Sequence, residues 1–262
     1  MAVPSRGKAS SLASVVAQNN DDSKRRAAAR DGAAKPRGKG RRPPWQIVAA
    51  EFKAAAQSSD QLPAQLGVEL AFAGRSNVGK SSLMNALTGR RRLVRTSATP
   101  GCTRAINFFE ARARDGAVFH LVDLPGYGYA KRSKAERNAW VRLIEGYLAE
   151  REWLRAVVLL VDARRGFGES DQMLASFVAA RPAARRPEVI VVATKIDKLP
   201  KAKRRAMLRQ MKGYSGKAIG VSAVTGEGME ALWKRLRSAA FVGNAELGTE
   251  QRTRDKGQGT GH

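Results

Sequence analysis

Five short apolar runs recur along the chain, and each is followed by a stretch with helical spacing. The runs are "VELAFA" (68–73), "VFHLV" (118–122), "AVVLLV" (156–161), "VIVVA" (189–193) and "AIGVS" (218–222). The helical stretches cover 80–88, 133–149, 170–180, 201–212 and 228–239. Near-continuous apolarity is what a strand needs when helices cover both faces of a parallel sheet. "AINFFEARA" (105–113) alternates instead and runs into the turn-forming "RDGA". It is therefore expected at an edge, as a hairpin with 118–122. Alternation of this kind predicts a doubly wound α/β sheet, whose ligands lie beyond the carboxyl ends of the strands.

The remaining sequence does not follow this pattern. Residues 1–44 carry 11 Lys/Arg against three Asp and almost no bulky apolar side chains. Such a segment cannot bury enough surface to offset its ordering entropy, so a disordered basic tail is expected there. A lead-in is expected over 45–67, the folded domain over 68–240, and a second disordered tail over 241–262. The net charge of the chain is +25, of which the first tail accounts for +8. An excess of about +17 elsewhere favours a polyanionic partner, with nucleic acid ahead of an anionic membrane surface. The single cysteine, Cys102, excludes an internal disulfide. No apolar run reaches the length of a membrane span, so a cytoplasmic protein is expected.

Each candidate motif falls just after an expected strand. The first is the loop Gly74-Arg75-Ser76-Asn77-Val78-Gly79-Lys80-Ser81, between a strand and a helix. Glycines let backbone N–H groups curl around a phosphate, Lys80 reaches its terminal oxygens, and Ser81 offers a hydroxyl to Mg²⁺. The second, Asp123-Leu124-Pro125-Gly126, places a carboxylate where it can hold Mg²⁺ through water. Gly126, lacking a side chain, can bring its N–H close to a terminal phosphate. The third is Thr194-Lys195-Ile196-Asp197. A carboxylate at Asp197 can accept from both the ring N–H and the exocyclic amine of guanine, a donor pair that adenine lacks. Lys195 can lay its stem across the base. The fourth, Val221-Ser222-Ala223, would let a backbone N–H approach the guanine carbonyl. Between the first two lies "TSATPGCTR" (96–104), where Thr103 is a candidate second Mg²⁺ ligand on a loop that could fold over a γ-phosphate.

In this order the motifs resemble those of the translation-factor-like GTPases, and more closely those of the EngB (YihA/YsxC) family of bacterial GTP-binding proteins. "ELAFAGRSNVGKSSLMNAL", "TSATPGCT", "DLPGYGYAK" and "TKIDKL" carry the resemblance, over about 45–240. It implies a six-stranded mixed sheet with one antiparallel edge strand, GTP or GDP as ligand, and Mg²⁺ held by Ser81 and Thr103. It also implies a role in late assembly of the large ribosomal subunit, with rRNA as partner, and a requirement in cell division and septation. A monomer is expected. The segment Gly101-Cys102-Thr103-Arg104-Ala105, expected beside the nucleotide, departs from the family's usual basic residue followed by Thr-Gln.

Lys80, Asn77 and Thr103 are the candidate catalytic residues. Ras-like enzymes carry a water-orienting glutamine after the glycine of the second motif, whereas this chain has Tyr127, so slow turnover is expected. An asparagine at the place of Asn77 helps hold K⁺ in cation-activated relatives, which makes K⁺ a candidate cofactor. Two alternatives stand beside the switch. One is an rRNA-binding assembly factor in which catalysis is incidental. The other, an ATP-using phosphotransferase, is disfavoured by Asp197.

Overall fold

The computed structural model describes residues 46–65, 67–90, 92–94, 105–127, 134–211 and 218–241. The tail expected over 1–44 lies outside these residues, as does that over 241–262 apart from Phe241, which ends a helix; 95–104 (and with it Gly101, Cys102, Thr103 and Arg104) and the "GYA" of 128–130 lie outside as well.

The elements run β1 (Ile47–Ala56), β2 (Glu69–Gly74), α1 (Lys80–Thr88), β3 (Ile106–Ala113), β4 (Val118–Asp123), α2 (Lys134–Glu150) and β5 (Leu154–Asp162). Then come α3 (Glu169–Ala179), β6 (Glu188–Thr194), α4 (Lys201–Gln210), β7 (Ile219–Gly220) and α5 (Met229–Phe241). The strands form one sheet in the order β1-β3-β4-β2-β5-β6-β7. Only β3 runs against the others, pairing antiparallel with both β1 and β4, while β2, β4, β5, β6 and β7 pair in parallel.

The doubly wound, mostly parallel fold is as expected, but the sheet has seven strands rather than six. The extra strand is β1, inside the expected lead-in, and it moves the antiparallel β3 one place in from the edge. Its sequence "IVAAEFKAAA" is rich in alanine and carries charge, and such composition favours helix when taken alone. What selects the strand is tertiary pairing with β3. Two register shifts and the exposed Glu51 and Lys53 blunt this outer edge. Lys53 sits between Glu51 and Glu110, which face each other across the two strands, at 2.6 and 3.4 Å.

Alternate side chains of β2 enter opposite layers. Leu70 and Phe72 pack with Leu83 and Met84 of α1 and Leu232, Trp233 and Leu236 of α5. Ala71 and Ala73 face Leu143, Ile144 and Tyr147 of α2 and Leu174 and Val178 of α3. Phe72, Phe108, Phe119 and Tyr147 are fully buried, each stabilising the fold by about 1.5–3 kcal/mol. Strands covered on both sides leave their carboxyl ends as the open edge where loops can meet a ligand.

Candidate functional site

The loop leaving β2 is shaped by its backbone. A Cβ on Gly74 would come within 2.9 Å of both the Leu160 carbonyl oxygen and Val78 Cγ1, so only glycine fits against β5. Gly79 has φ +104° and caps α1, a conformation that costs other residues strain. Asn77 is left-handed too, at φ 62°, a region asparagine tolerates better than most side chains. The N–H groups of the first turn of α1 have no carbonyl four residues back to bond. That turn holds no acidic side chain, so the partial positive charge of the helix end faces the loop uncompensated.

Lys80 opens α1 and is 8% exposed, and its ammonium pairs with the carboxylate of Asp123, 1% exposed, at the end of β4. Ser81 is half-buried beside it. The loop is also fastened to the segment after Asp123. Ser76 N–H donates to the Tyr127 carbonyl at 3.0 Å, and Tyr127 N–H to that of Gly74 at 3.4 Å.

The third motif is tied to the first by two side chains. Thr194 Oγ1 donates toward the Val78 carbonyl (2.7 Å), with the Val161 carbonyl 3.2 Å away. Lys195, left-handed at φ 58°, donates from Nζ to the Asn77 carbonyl at 2.7 Å and to Asp162 Oδ2 at 3.1 Å. Its stem thus lies along the phosphate loop, with Cε 3.6 Å from where a Cβ on Gly79 would be. Asp197 follows in the short turn Ile196–Lys198. Ile196 N–H donates to the Val221 carbonyl at 3.3 Å, which sets that turn against the fourth motif. Ser222 is fully buried, and its hydroxyl accepts from Val224 N–H (3.3 Å) and Thr225 N–H (3.1 Å), curling the loop that carries Ala223. Thr194 and Ser222 therefore hold the loops in place through their side chains.

Two residues here were not singled out from sequence. Asp162 ends the apolar run of β5 and accepts from Arg164 and Lys195. Burial pushes its carboxyl up, but the Arg164 guanidinium and N–H and the Lys195 ammonium outweigh this and hold it well below the usual carboxylate range. The signal was present as a lone carboxylate closing "AVVLLVD". Asp171, fully buried in α3, accepts from the Tyr127 hydroxyl at 2.7 Å and from Gly168 N–H at 2.9 Å. Burial and this carboxylate push the Tyr127 phenol far above its ordinary value. The Tyr127 ring lies edge-on to Trp140, whose indole donates to the Pro125 carbonyl at 2.9 Å. Tyr127 is thus fixed between α2 and α3.

Among the described residues no group of three or more His, Cys, Asp or Glu could cage a metal ion. The donor set suits Mg²⁺ all the same, because Mg²⁺ is commonly held by one or two protein oxygens together with substrate phosphates and water. Asp123 and Ser81 supply such oxygens next to the phosphate loop.

A sheet of this order, with a phosphate loop after β2, D-x-x-G after β4 and T-K-x-D after β6, is that of a P-loop GTPase. A family model described as 50S ribosome-binding GTPase matches residues 69–195. The chain belongs to the EngB family of GTP-binding proteins. A probable GTP-binding protein EngB from Anaeromyxobacter sp. (strain Fw109-5) is 49% identical to it over 206 residues, 75% of this chain and 94% of that protein. Its counterpart from Prosthecochloris aestuarii (strain DSM 271 / SK 413) is 42% identical over 196 residues, 74% of this chain and 98% of the relative. A solved structure of a probable GTP-binding protein engB shares the fold at a TM-score of 0.51 and 23% identity, covering 66% of this chain and 98% of that one.

Proposed function

We propose that this protein is a slow, Mg²⁺-dependent GTPase that acts as a switch on the large ribosomal subunit or its precursor, with a role in cell division and septation. The nucleotide reading is carried by Lys195, whose ammonium bonds the phosphate loop while its own segment presents Asp197. One side chain thereby fixes the distance between the base carboxylate and the phosphate cradle.

In this reading Asp197 accepts from guanine, Lys195 lies against the base, and Val221 to Ala223 approach the base carbonyl through backbone. Gly74 to Ser81 hold the phosphates. An arriving phosphate tail would draw Lys80 off Asp123, and that carboxylate would then be free to hold Mg²⁺ through water. Ser81 and Thr103 would offer hydroxyl oxygens to Mg²⁺, and Gly101 to Ala105 would contact the nucleotide. Mg²⁺ would neutralise charge on the phosphate oxygens. Turnover is slow because Tyr127 takes the place of a water-orienting glutamine and its hydroxyl is committed to Asp171.

Two observations support the ribosomal partner. One is the description of the matching family model, and the other is the cationic excess outside the first 44 residues. Co-sedimentation with large ribosomal subunits tests it. Binding with a non-hydrolysable GTP analogue is expected to exceed that with GDP and to weaken steeply with salt. Equal pelleting with both nucleotides would remove the switch.

Asn77 would help hold K⁺ near the β- and γ-phosphates. Its backbone is left-handed, so Asn77→Gly removes the amide without straining the loop, which alanine would not achieve. Wild type is expected to hydrolyse GTP about tenfold faster in KCl than in NaCl, and Asn77→Gly to lose that difference. Equal wild-type rates in the two salts would eliminate the cation.

A further inference from the structure

Helix α4, "KAKRRAMLRQ", follows the Asp197 turn after two residues and contains five cations and no carboxylate. Leu208 and Met207 pack inward against Ile196 and its neighbours. Arg204 also turns in, with Nη1 2.7 and 2.9 Å from the two carboxylate oxygens of Glu227. Lys201, Lys203, Arg205 and Arg209 remain exposed. Among the described residues the side chains of these four make no hydrogen bond and no ion pair.

Several exposed cations elsewhere are paired. Lys234 meets Glu230 at 2.9 Å, Arg235 meets Glu188 at 2.5 Å, and Arg185 meets Glu152 at 2.9 Å. Exposed cations whose side chains have no partner also occur singly, at Arg92, Arg114, Arg142 and Arg165, but on α4 four of them stand within nine residues. Lys201, Arg205 and Arg209 are spaced four residues apart, so they form a stripe whose members rise about 6 Å from one to the next. Like charges at this spacing destabilise a helix, which makes the stripe a cost to folding with no intramolecular return.

We propose that α4 is a docking surface for the phosphodiester backbone of RNA, with Lys201, Arg205 and Arg209 as its contacts. The inference rests on the reading above that the partner is RNA, and it says which face of the domain meets it. RNA fits better than a lipid surface because no large exposed apolar side chain lies on the helix. Those among the described residues are Val48, Phe52, Met173, Val224 and Phe241, and a helix that lies in a membrane needs an apolar face to insert. Contacts to phosphates are independent of base sequence and release counterions, which makes them measurable through salt dependence. The surface is continuous in sequence with the segment that would read the base, so nucleotide state and RNA grip share one short stretch of backbone.

The test uses the full chain and a fluorescein-labelled RNA stem-loop, with anisotropy followed between about 50 and 200 mM KCl. The variant is K201Q/R205Q/R209Q, which keeps good helix formers, and K234Q, whose lysine is already paired, is the control. Loss of three contacts is expected to reduce the slope of log affinity against log salt by about two. Affinity at the low-salt end should fall at least tenfold, with K234Q like wild type and displacement of a fluorescent guanine nucleotide unchanged in all three proteins. If wild type binds the RNA and the triple variant binds it with the same slope, α4 is not the surface, although the RNA partner stands. If wild type does not bind the RNA, the RNA reading and the surface fall together. If the variant instead loses binding to phosphatidylglycerol vesicles while keeping RNA, the face belongs to a membrane and the inference is overturned.

Discussion

Asp197→Asn is expected to weaken GTP binding by about two to three orders of magnitude and to let xanthine triphosphate compete where it did not before. The carboxylate is an acceptor on both oxygens, and guanine offers a ring N–H and an amine in matching positions. Hydrogen bonds to a charged group contribute about 1.5–3 kcal/mol each. Asparagine keeps one acceptor but turns an N–H₂ toward a guanine donor, so one bond is lost and a clash of donors replaces it. A loss of about 3–4 kcal/mol corresponds to the stated range. Xanthine carries an oxygen where guanine carries the amine, and the new amide can donate to it. ATP should stay a poor ligand of both proteins, since neither side chain then meets a complementary pair on adenine.

The substitution suits the test because the turn around it is held by other groups. Ile196 N–H bonds the Val221 carbonyl, Thr194 bonds the phosphate loop, and Lys195 bonds Asn77. None of these uses the Asp197 carboxylate, whose ion-pair partner is Lys198 at 3.8 Å, itself largely exposed, with the Arg164 guanidinium also nearby. The melting temperature should therefore stay within about 2 °C of wild type, since exposed ion pairs contribute little. Competition of GTP, ATP and xanthine triphosphate against a fluorescent guanine nucleotide gives the readout. An unchanged ratio of GTP to ATP affinity would refute the assignment of the base carboxylate.

The residues proposed to hold the nucleotide are legible because they sit in contiguous motifs. Gly74 to Ser81 and Thr194 to Asp197 announce themselves by local spacing, and the buried strands before them by apolar runs. What stayed hidden is what depends on pairing across the chain. Strand β1 is half exposed and alanine-rich, and nothing within Ile47–Ala56 distinguishes it from a helix until β3 lies beside it. Asp162 and Asp171 are single carboxylates whose partners, Lys195 and Tyr127, lie 33 and 44 residues away. Tyr127 was recognised as a departure from a glutamine. Its attachment to α3 could not be, because the 3.6-residue period of α3 marks only its apolar face.

Arg151→Ala is expected to cost about 3–5 kcal/mol of stability, and hence to lower the melting temperature by roughly 10 °C for a domain of this size. The cause lies at the opposite edge of the sheet from the phosphate loop. Glu69 opens β2 with no exposure to solvent, and its oxygens meet Arg151 Nε at 3.3 Å and the Tyr147 hydroxyl at 2.9 Å. Arg151 is itself buried. Its guanidinium lies over the Phe108 ring at 5.1 Å and donates to the Pro63 carbonyl at 2.7 Å. Burial pushes the Glu69 carboxyl above its ordinary value, and Arg151 opposes that rise. Without the arginine the carboxylate must stay charged and unpaired or take up a proton, and either is costly at neutral pH. The sign of the pH dependence follows. A carboxyl raised by folding contributes stability that is fully present below its unfolded value and is lost as pH rises through the folded one. Removing Arg151 raises the folded value further, so the deficit against wild type should be largest near pH 8 and should shrink as pH falls toward 5. Replacing the set with apolar groups, as in E69L/R151M/Y147F, should recover most of the loss, since a buried pair replaced by packed hydrocarbon is often neutral. Guanine nucleotide affinity should not change in either variant, because no residue of this cluster touches the loops at the carboxyl edge. Thermal melts of the three proteins across that pH range decide the matter, and an Arg151→Ala protein melting within 2 °C of wild type at every pH would show that the ion pair does not hold this end of the sheet.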